Sequence, residues 1–146
     1  MRHQRKTVKL QRNKSQRRAL LSGLACSLIE HGRIRTTQAK AKALRPIADR
    51  LVTLGKRGNA GDKDENVHTR RQAHAFLGNN AAVKKLFSEI AVASADRQGG
   101  YTRITRIPDR ASDSAPMAYI EWIDVHIAMD DEDEVETTET EQAKAS

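Results

Sequence analysis

The chain has 146 residues, which is enough for one domain with one modest hydrophobic core. Its 26 Lys and Arg residues outnumber its 19 Asp and Glu residues and give a formal net charge of +7. A single cysteine, Cys26, excludes an intrachain disulfide and a cysteine-based metal site, and no segment approaches the roughly 18 apolar residues of a membrane span.

The N-terminal segment, residues 1–12, is basic, contains no acid and shows no apolar periodicity. Such a segment cannot bury enough surface to offset the entropy lost on ordering, so the sequence predicts an extended, mobile arm. A disordered terminus without a binding role is the alternative. The density of Lys and Arg without a carboxylate favours an arm that folds onto phosphates.

The first helix is predicted to begin near Asn13 or Ser15, which are both good N-caps, and to end at Gly32. Cys26 lies within this helix and is interpreted as a packed small residue rather than a nucleophile. Apolar residues recur with helical spacing and predict a wide buried stripe. They are Leu20, Leu21, Leu24, Ala25, Leu28 and Ile29.

The same stretch has the outline of a secretory signal, because a basic segment that ends in Arg17 and Arg18 precedes the apolar residues 19–29. These apolar residues run directly into Glu30 and His31 without a cleavage site of the A-x-A kind. The interpretation as an amphipathic helix is therefore preferred to an export signal.

A short strand and a second helix are predicted next. Residues 33–37 alternate β-branched and charged side chains, which is typical of a brief strand, and either of its threonines can cap the following helix. Pro46 should kink that helix or remove one backbone hydrogen bond, and residues 55–58 should end it. Its predicted buried seam consists of Leu44, Ile47, Leu51 and Leu54.

Residues 58–66 are polar and are interpreted as a linker. Their Gly and Lys residues do not have the G-x-x-x-x-G-K-[ST] spacing of a phosphate-binding loop. Two shorter helices are predicted at about residues 67–77 and 80–94. The apolar face of the second is formed by Val83, Leu86, Phe87 and Ile90.

Two strands are predicted at residues 101–107 and 117–123, joined by a loop that is bounded by two prolines. Beyond them, residues 126–146 form an acidic low-complexity segment that is predicted to be a disordered tail. The order helix, short strand, three helices and two strands predicts an α+β domain over residues 13–125, with helices packed in a second layer on a small sheet.

The charge is distributed unevenly along the chain. Residues 1–50 hold 14 basic and 2 acidic side chains, whereas residues 124–146 hold one Lys and 9 acids. The body, residues 1–123, therefore has a net charge of +15, from 25 basic and 10 acidic side chains. Nucleic acid is the leading candidate to neutralise it, because each phosphate that Lys or Arg neutralises releases counterions, and an anionic membrane surface is the weaker candidate.

Several motifs occur in an order that is typical of one known family. They are MRHQRK, LQRNKSQRRALL, HGRIRTTQAKAKALRPIADRLVTLGKR, KKLFSEI, GGYTRI and DSAPMAYIEW, over roughly residues 1–124. In these segments the chain resembles the family of bacterial large-subunit ribosomal protein seventeen. It departs from the family pattern at Ser114, where Asn is expected, at Trp122, where a smaller apolar residue is expected, and in its acidic tail.

The resemblance implies an α+β fold, binding to large-subunit ribosomal RNA and a position near the nascent-chain exit tunnel. It also implies contact with neighbouring ribosomal proteins, among them number thirty-two. We expect a cytoplasmic structural constituent of the ribosome, with no enzymatic activity, no cofactor, no metal and no membrane contact.

We expect RNA contacts to fall mainly on phosphates and on helix shape, because aromatic residues make up only 3% of the chain. Tyr101 could stack on an exposed base or pack in the core. Gly99 and Gly100 allow a close backbone approach to a helix or to an RNA phosphate. The candidate contact residues are Arg2, His3, Arg5, Lys6, Lys9, Arg12, Lys14, Arg17, Arg18, Arg33, Arg35, Lys40, Lys42, Arg45, Gly99, Gly100, Tyr101, Arg103 and Arg106.

Two other classes of protein, an enzyme and a DNA-binding regulator, fit the sequence less well. An enzyme is disfavoured because the five histidines are scattered and no paired carboxylates, nucleophile elbow or metal-ligand spacing occurs. His68 and His74 are six residues apart and cannot share a helix face. A DNA-binding regulator would use the helices at 67–77 and 80–94 as a helix-turn-helix, but the second offers only Lys84 and Lys85 as basic residues.

Overall fold

A computed structural model describes residues 8–125. The predicted order of helices and strands is confirmed, and the fold is α+β. The elements are α1 Lys14–His31, β1 Arg33–Thr37, α2 Gln38–Ala60, α3 Lys63–Leu77, α4 Asn80–Lys85, a π-helical segment Leu86–Ile90, α5 Ala91–Ala93, β2 Thr102–Ile107 and β3 Met117–Trp122. The predicted tail and most of the predicted arm, residues 1–7, lie outside the described residues.

Helix α1 begins and ends where the capping residues predict. The side chain of Asn13 accepts a hydrogen bond of 2.9 Å from the backbone N–H of Gln16. At the other end Gly32 has a φ of 74°, in the left-handed region, and its N–H donates to the carbonyl of Leu28 at 2.9 Å. The apolar part of the signal-like segment, residues 19–29, thus lies in a capped helix whose apolar side packs in the core.

Four of the six residues in the predicted stripe of α1 are buried. Leu20 and Leu24 are only half-buried, whereas Leu28 is fully buried. A strict four-residue spacing drifts by roughly 40° per step around an α-helix, so Leu20 lies about 80° away from Leu28. The fully packed positions follow one another at spacings of four, three and one residues. They are Leu21, Ala25, Leu28 and Ile29.

Helix α2 is longer than predicted, because it continues through Gly55 and Gly58 to Ala60. The prediction of a linker over residues 58–66 is wrong, since only Gly61 and Asp62 separate α2 from α3. A Cβ atom at Gly55 would lie 2.8 Å from Cβ of Ala91, and one at Gly58 would collide with Thr69 Oγ1. These glycines serve close helix packing rather than helix termination.

The start and middle of α2 agree with the prediction in part. Thr37 occupies the N-cap position, but its side chain makes no capping hydrogen bond. Pro46 lies inside the helix and is exposed, and the helix continues past it. In the predicted seam Leu44 and Leu51 are buried. Ile47 and Leu54 are half-buried and line a groove of about 490 Å³ beside α3.

The last helical stretch, predicted as one helix, contains a π-helical segment over Leu86–Ile90. Asn79 caps the start of this stretch by accepting from the backbone N–H groups of Ala81 and Ala82. A π-helical turn shifts the backbone register, and here the side-chain amide of Asn59 in α2 donates to the carbonyl of Phe87 at 2.8 Å. Phe87 itself is a fully buried core residue.

The three strands form an antiparallel sheet in the order β1-β3-β2. Ala118, Ile120 and Trp122 alternate along the central strand β3 and are all buried, as the sequence pattern predicts. We call this side the inner face, against which α1 and α2 pack. The indole N–H of Trp122 donates to the carbonyl of Leu28 at 2.9 Å and ties β3 to the end of α1. No helix among residues 8–125 is long and apolar enough to cross a membrane.

Candidate nucleic-acid interface

The first basic surface lies at the start of α1. Its members, here called the α1 surface, are mostly exposed, and only one of them, Arg17, is half-buried. They are Lys9, Arg12, Lys14, Arg17 and Arg18. The first acidic residue along the chain is Glu30, so no carboxylate from the same stretch neutralises this surface.

Local structure fixes the position of the α1 surface. Leu10 packs against the hydrophobic core, and Leu10 and Gln11 have φ values of 53° and 50°. The left-handed region is unfavourable for these residue types, so this turn is held by its surroundings. The guanidinium of Arg18 donates to the carbonyl of Ala75 at 2.6 Å, which links the surface to the end of α3.

The second basic surface is the side of the sheet opposite to the inner face, here called the outer face. Glu121 lies between two arginines, 3.6 Å from Nε of Arg33 and 3.7 Å from Nη1 of Arg103. Arg35 is exposed and directly opposite Tyr119 in the register of β1 with β3. The guanidinium of Arg33 lies 3.8 Å from the centroid of the Tyr119 ring.

The structure does not bring all the predicted contact residues together. Helix α1 has 18 residues, so its two ends are about 27 Å apart and the α1 surface is well separated from the outer face. The first turns of α2 follow β1 directly and carry Lys40, Lys42 and Arg45. Lys42 and Arg45 are exposed and Lys40 is half-buried. Arg2, His3, Arg5 and Lys6 lie outside the described residues.

Tyr101, which directly precedes β2, does not lie on the surface where an RNA base could reach it. Tyr101 is only 5% exposed and belongs to the core, with the ammonium of Lys56 5.5 Å from its ring centroid. Its backbone N–H donates to Asp49 Oδ1 at 3.2 Å. The ring is therefore unavailable for stacking on a base. Of the two roles that the sequence leaves open for Tyr101, base stacking and core packing, the structure shows core packing.

The neighbouring glycines have a conformational role. Gly99 and Gly100 have φ values of 127° and 62°, which L side chains rarely adopt. A Cβ atom at either would meet no described atom within 4 Å, so no helix approaches them closely. Arg106, also predicted as a contact, is exposed, but by strand alternation it falls on the same side as Thr102 and Ile104 rather than on the outer face.

Two arginines are held by internal ion pairs. Arg97 donates to both carboxylate oxygens of Asp124, at 2.8 and 2.9 Å, and these hydrogen bonds lower the pKa of Asp124 below its usual value of 3.8. Arg110 binds Asp113 in the same two-pronged way, and this lowers the pKa of Asp113. Such paired guanidinium groups are poorer candidates for phosphate contact than the exposed members of the α1 surface.

The thiol of Cys26 is not a reactive group. Burial raises its pKa, Glu30 adds to the effect, and the thiol lies 3.6 Å from the carbonyl of Leu77. A protonated thiol is a poor nucleophile and a poor metal ligand. The geometry agrees with the interpretation of Cys26 as a packing residue. Between residues 8 and 125, no three His, Cys, Asp or Glu side chains are grouped so that they could hold a metal ion.

Sequence reasoning missed two features of the surface. Tyr119 was not predicted as a contact, although its position between Ala118 and Ile120 on an alternating strand indicates the outer face. A groove of about 440 Å³ between α3 and α4 is lined in part by Arg70, Arg71 and Lys84. The signal for it is the clustering of basic residues on one side of α3, which the sequence shows only once the helix bounds are known.

The helix-turn-helix interpretation finds little support in the same region. Lys85 donates to the carbonyl of Glu30 at 2.8 Å, so one of the two basic residues of the second helix is used in packing. Lys84 remains exposed, but the helix changes to π geometry directly after Lys85. A regular recognition helix for the major groove is therefore not formed at this position.

The described residues define a basic α+β protein whose cationic side chains lie on separate exposed surfaces. The model of the family "Ribosomal protein L17" matches residues 20–123. The chain is 58% identical to the large ribosomal subunit protein bL17 of Akkermansia muciniphila, over 86% of this chain and 87% of the relative. It is 50% identical to that of Shouchella clausii, over 80% and 98%, and 47% identical to that of Paramagnetospirillum magneticum, over 88% and 86%.

The chain belongs to the ribosomal protein L17 family, as its motifs predict. It is a structural component of the large ribosomal subunit and not an enzyme.

Proposed function

We propose that this chain binds large-subunit ribosomal RNA, mainly through phosphate groups and RNA shape. The observation that carries this proposal is the α1 surface. Four of its five cationic side chains are exposed, and no acid occurs along the chain before Glu30. A surface of this kind gains free energy when it replaces the counterions of a polyanion. The predicted arm extends the same charge toward the N-terminus.

The proposal divides the chain into three parts. Residues 1–12 form the basic arm, residues 13–125 form the RNA-binding domain and residues 126–146 form the acidic tail. The outer face and the first turns of α2 supply a second group of contacts, since Arg35, Lys42 and Arg45 are exposed there. Two separate basic surfaces suit a protein that bridges RNA segments rather than one that reads a single groove.

The family motifs support a finer placement. The protein lies near the nascent-chain exit tunnel of cytoplasmic ribosomes, and large-subunit protein number thirty-two is one of its neighbours. Sedimentation of a cell lysate through a sucrose gradient tests the assembly, and crosslinking tests the neighbour. The chain should migrate with large subunits and crosslink to that protein. A chain found mainly in the soluble pool, or on DNA, would contradict the proposal.

A variant set tests the phosphate contacts themselves. Replacing Arg12, Lys14 and Arg17 by Ala should weaken binding to large-subunit ribosomal RNA. The slope of log affinity against log salt should fall by roughly 0.7–0.9 per lost phosphate contact. Arg110→Ala is the matched control, because it removes one positive charge whose guanidinium is already held by Asp113. A loss of slope per removed charge equal to that of the three-residue variant would mean that only net charge matters.

A further inference from the structure

The outer face carries the aromatic ring of Tyr119, whose apolar surface is not needed for contacts to phosphates. Tyr119 lies in the central strand β3 and is half-buried. Its neighbours Ala118 and Ile120 point to the inner face and are fully buried. The helices that contact the sheet pack on that inner face, so the Tyr119 ring belongs to the side of the sheet away from them.

Cationic groups surround this ring in a fixed arrangement. The guanidinium of Arg33 is 3.8 Å from the ring centroid, a distance typical of a parallel stack. Glu121 is the cross-strand partner of both Arg33 and Arg103. Its carboxylate lies within 4 Å of both guanidinium groups and restrains them. Arg35 is the direct cross-strand neighbour of Tyr119, and such neighbours have Cβ atoms about 4.5–5.5 Å apart.

We propose that this face is a nucleobase-stacking site. An unpaired base of RNA extends the stack of Arg33 on Tyr119, and Arg35 and Arg103 contact the phosphates on either side of that base. The inference rests on the proposed function and deepens it, because it adds a contact to a base where the rest of the surface contacts only the backbone. Every nucleobase has a π face, and unpaired RNA bases stack on aromatic rings and on arginine planes.

A purely structural role for the pair is the alternative. In that case the contact of Arg33 with Tyr119 would serve only to hold β1 against β3. The two strands are, however, already joined by a continuous antiparallel register of five residue pairs, and their inner faces pack against the helices. The two roles differ in what a substitution changes, since one affects stability and the other affects the preference for unpaired RNA.

The test uses the full chain and two probes, a short single-stranded oligoribonucleotide of mixed sequence and the same strand annealed to its complement. Tyr119→Ala should weaken binding to the single strand by roughly 5- to 150-fold, the range for loss of one stacked base. Binding to the duplex and the salt dependence should stay as in the wild type. Arg35→Ala should instead lower the salt slope by roughly 0.7, the value for one contact to a single strand.

Three controls separate stacking from folding. Tyr119→Leu keeps apolar bulk without a π face and should lose affinity as Tyr119→Ala does, whereas Tyr119→Phe should keep it. Thr105→Ala changes the other cross-strand neighbour of Tyr119 and should bind normally. Fluorescence of Trp122, the single and buried tryptophan, reports whether each variant is folded.

Two results would overturn the stacking site while leaving the proposed function intact. Folded Tyr119→Leu and Tyr119→Ala could bind the single strand as tightly as the wild type does. They could also lose affinity for the single strand and the duplex equally. A wild-type chain that binds neither probe nor deproteinised large-subunit ribosomal RNA would overturn the proposed function, and the stacking site with it.

Discussion

The two faces of the sheet differ in what their residues do. On the inner face, Ala118 and Ile120 are fully buried, and the indole N–H of Trp122 donates a hydrogen bond to a carbonyl of α1. On the outer face, Arg35 and Arg103 are exposed on the same three strands. One backbone thus carries the stability of the fold on one side and the charge for binding on the other. Substitutions at adjacent positions of one strand should therefore affect different measurements.

The largest expected effect is on the inner face. Trp122→Ala should lower the free energy of unfolding by about 3–5 kcal/mol, because it removes a large buried ring and its hydrogen bond to Leu28. Arg35→Ala, on the outer face, should change it by less than about 0.5 kcal/mol. Denaturant unfolding followed by circular dichroism measures both. If Arg35→Ala destabilised the protein as much as Trp122→Ala does, the conclusion that the inner face carries the stability of the fold would be wrong.

The same contrast between packed and open positions applies to the helices. Gly58→Ala should destabilise the protein by about 1–3 kcal/mol, since the added Cβ would collide with Thr69 and the Phe87 ring. Gly23→Ala should stabilise it by about 0.5–1 kcal/mol, because nothing lies within 4 Å of the new atom and Ala favours a helix. Thermal unfolding of the two variants should shift in opposite directions. Shifts of the same sign would argue against the close packing of α2.

Local patterns predict the fold well where one residue decides the structure. Asn13 and Gly32 define α1 because capping depends on the residue itself and its immediate neighbours. The glycines of α2 show the limit of this approach. Gly55 and Gly58 are typical helix ends, yet tertiary contacts with Ala91 and Thr69 place them inside a helix. Such contacts join distant parts of the chain, so no local pattern contains them.

The candidate site shows the same limit. Charge counts correctly predict exposed basic residues such as Arg12 and Arg35. They do not say which aromatic ring is accessible. The sequence leaves base stacking and core packing open for Tyr101, and the structure buries it. Strand register decides the matter, because it places Tyr119 beside Arg35 on the outer face. Register depends on pairing between residues about 80 positions apart, which a single sequence does not reveal.

A smaller effect is expected at the edge of the core, where Arg97 pairs with Asp124. The lowered pKa of Asp124 means that its ion pair stabilises the fold above about pH 3.8 and that this stabilisation is lost as the pH falls through the folded pKa. Asp124→Asn should therefore lower the melting temperature at neutral pH and approach the wild type at acid pH.

Asp96→Asn is the matched control for this pair, because it removes the same charge next to Arg97 without removing the two-pronged contact. Its melting temperature should stay above that of Asp124→Asn at neutral pH. A gap between wild type and Asp124→Asn that stays constant down to strong acid would show that the carboxylate does not stabilise the fold through its charge.

The smallest expected effect lies in the loop between β2 and β3, which belongs to neither face. Ser114 has a φ of 53°, a region that Asn tolerates better than Ser. Asp113 holds this conformation by accepting from the N–H of Ala115 and from Arg110. Ser114→Asn should therefore raise the free energy of unfolding by about 0.5 kcal/mol.

Ser112→Asn tests whether this gain depends on the backbone conformation. Ser112 lies in the same loop and is not among the described residues with a positive φ, so the same substitution there should bring no gain. Both variants should bind RNA as the wild type does, because neither side chain lies on the α1 surface or on the outer face. Equal stabilisation by the two substitutions would mean that added polarity, rather than relief of an unfavourable φ, is responsible.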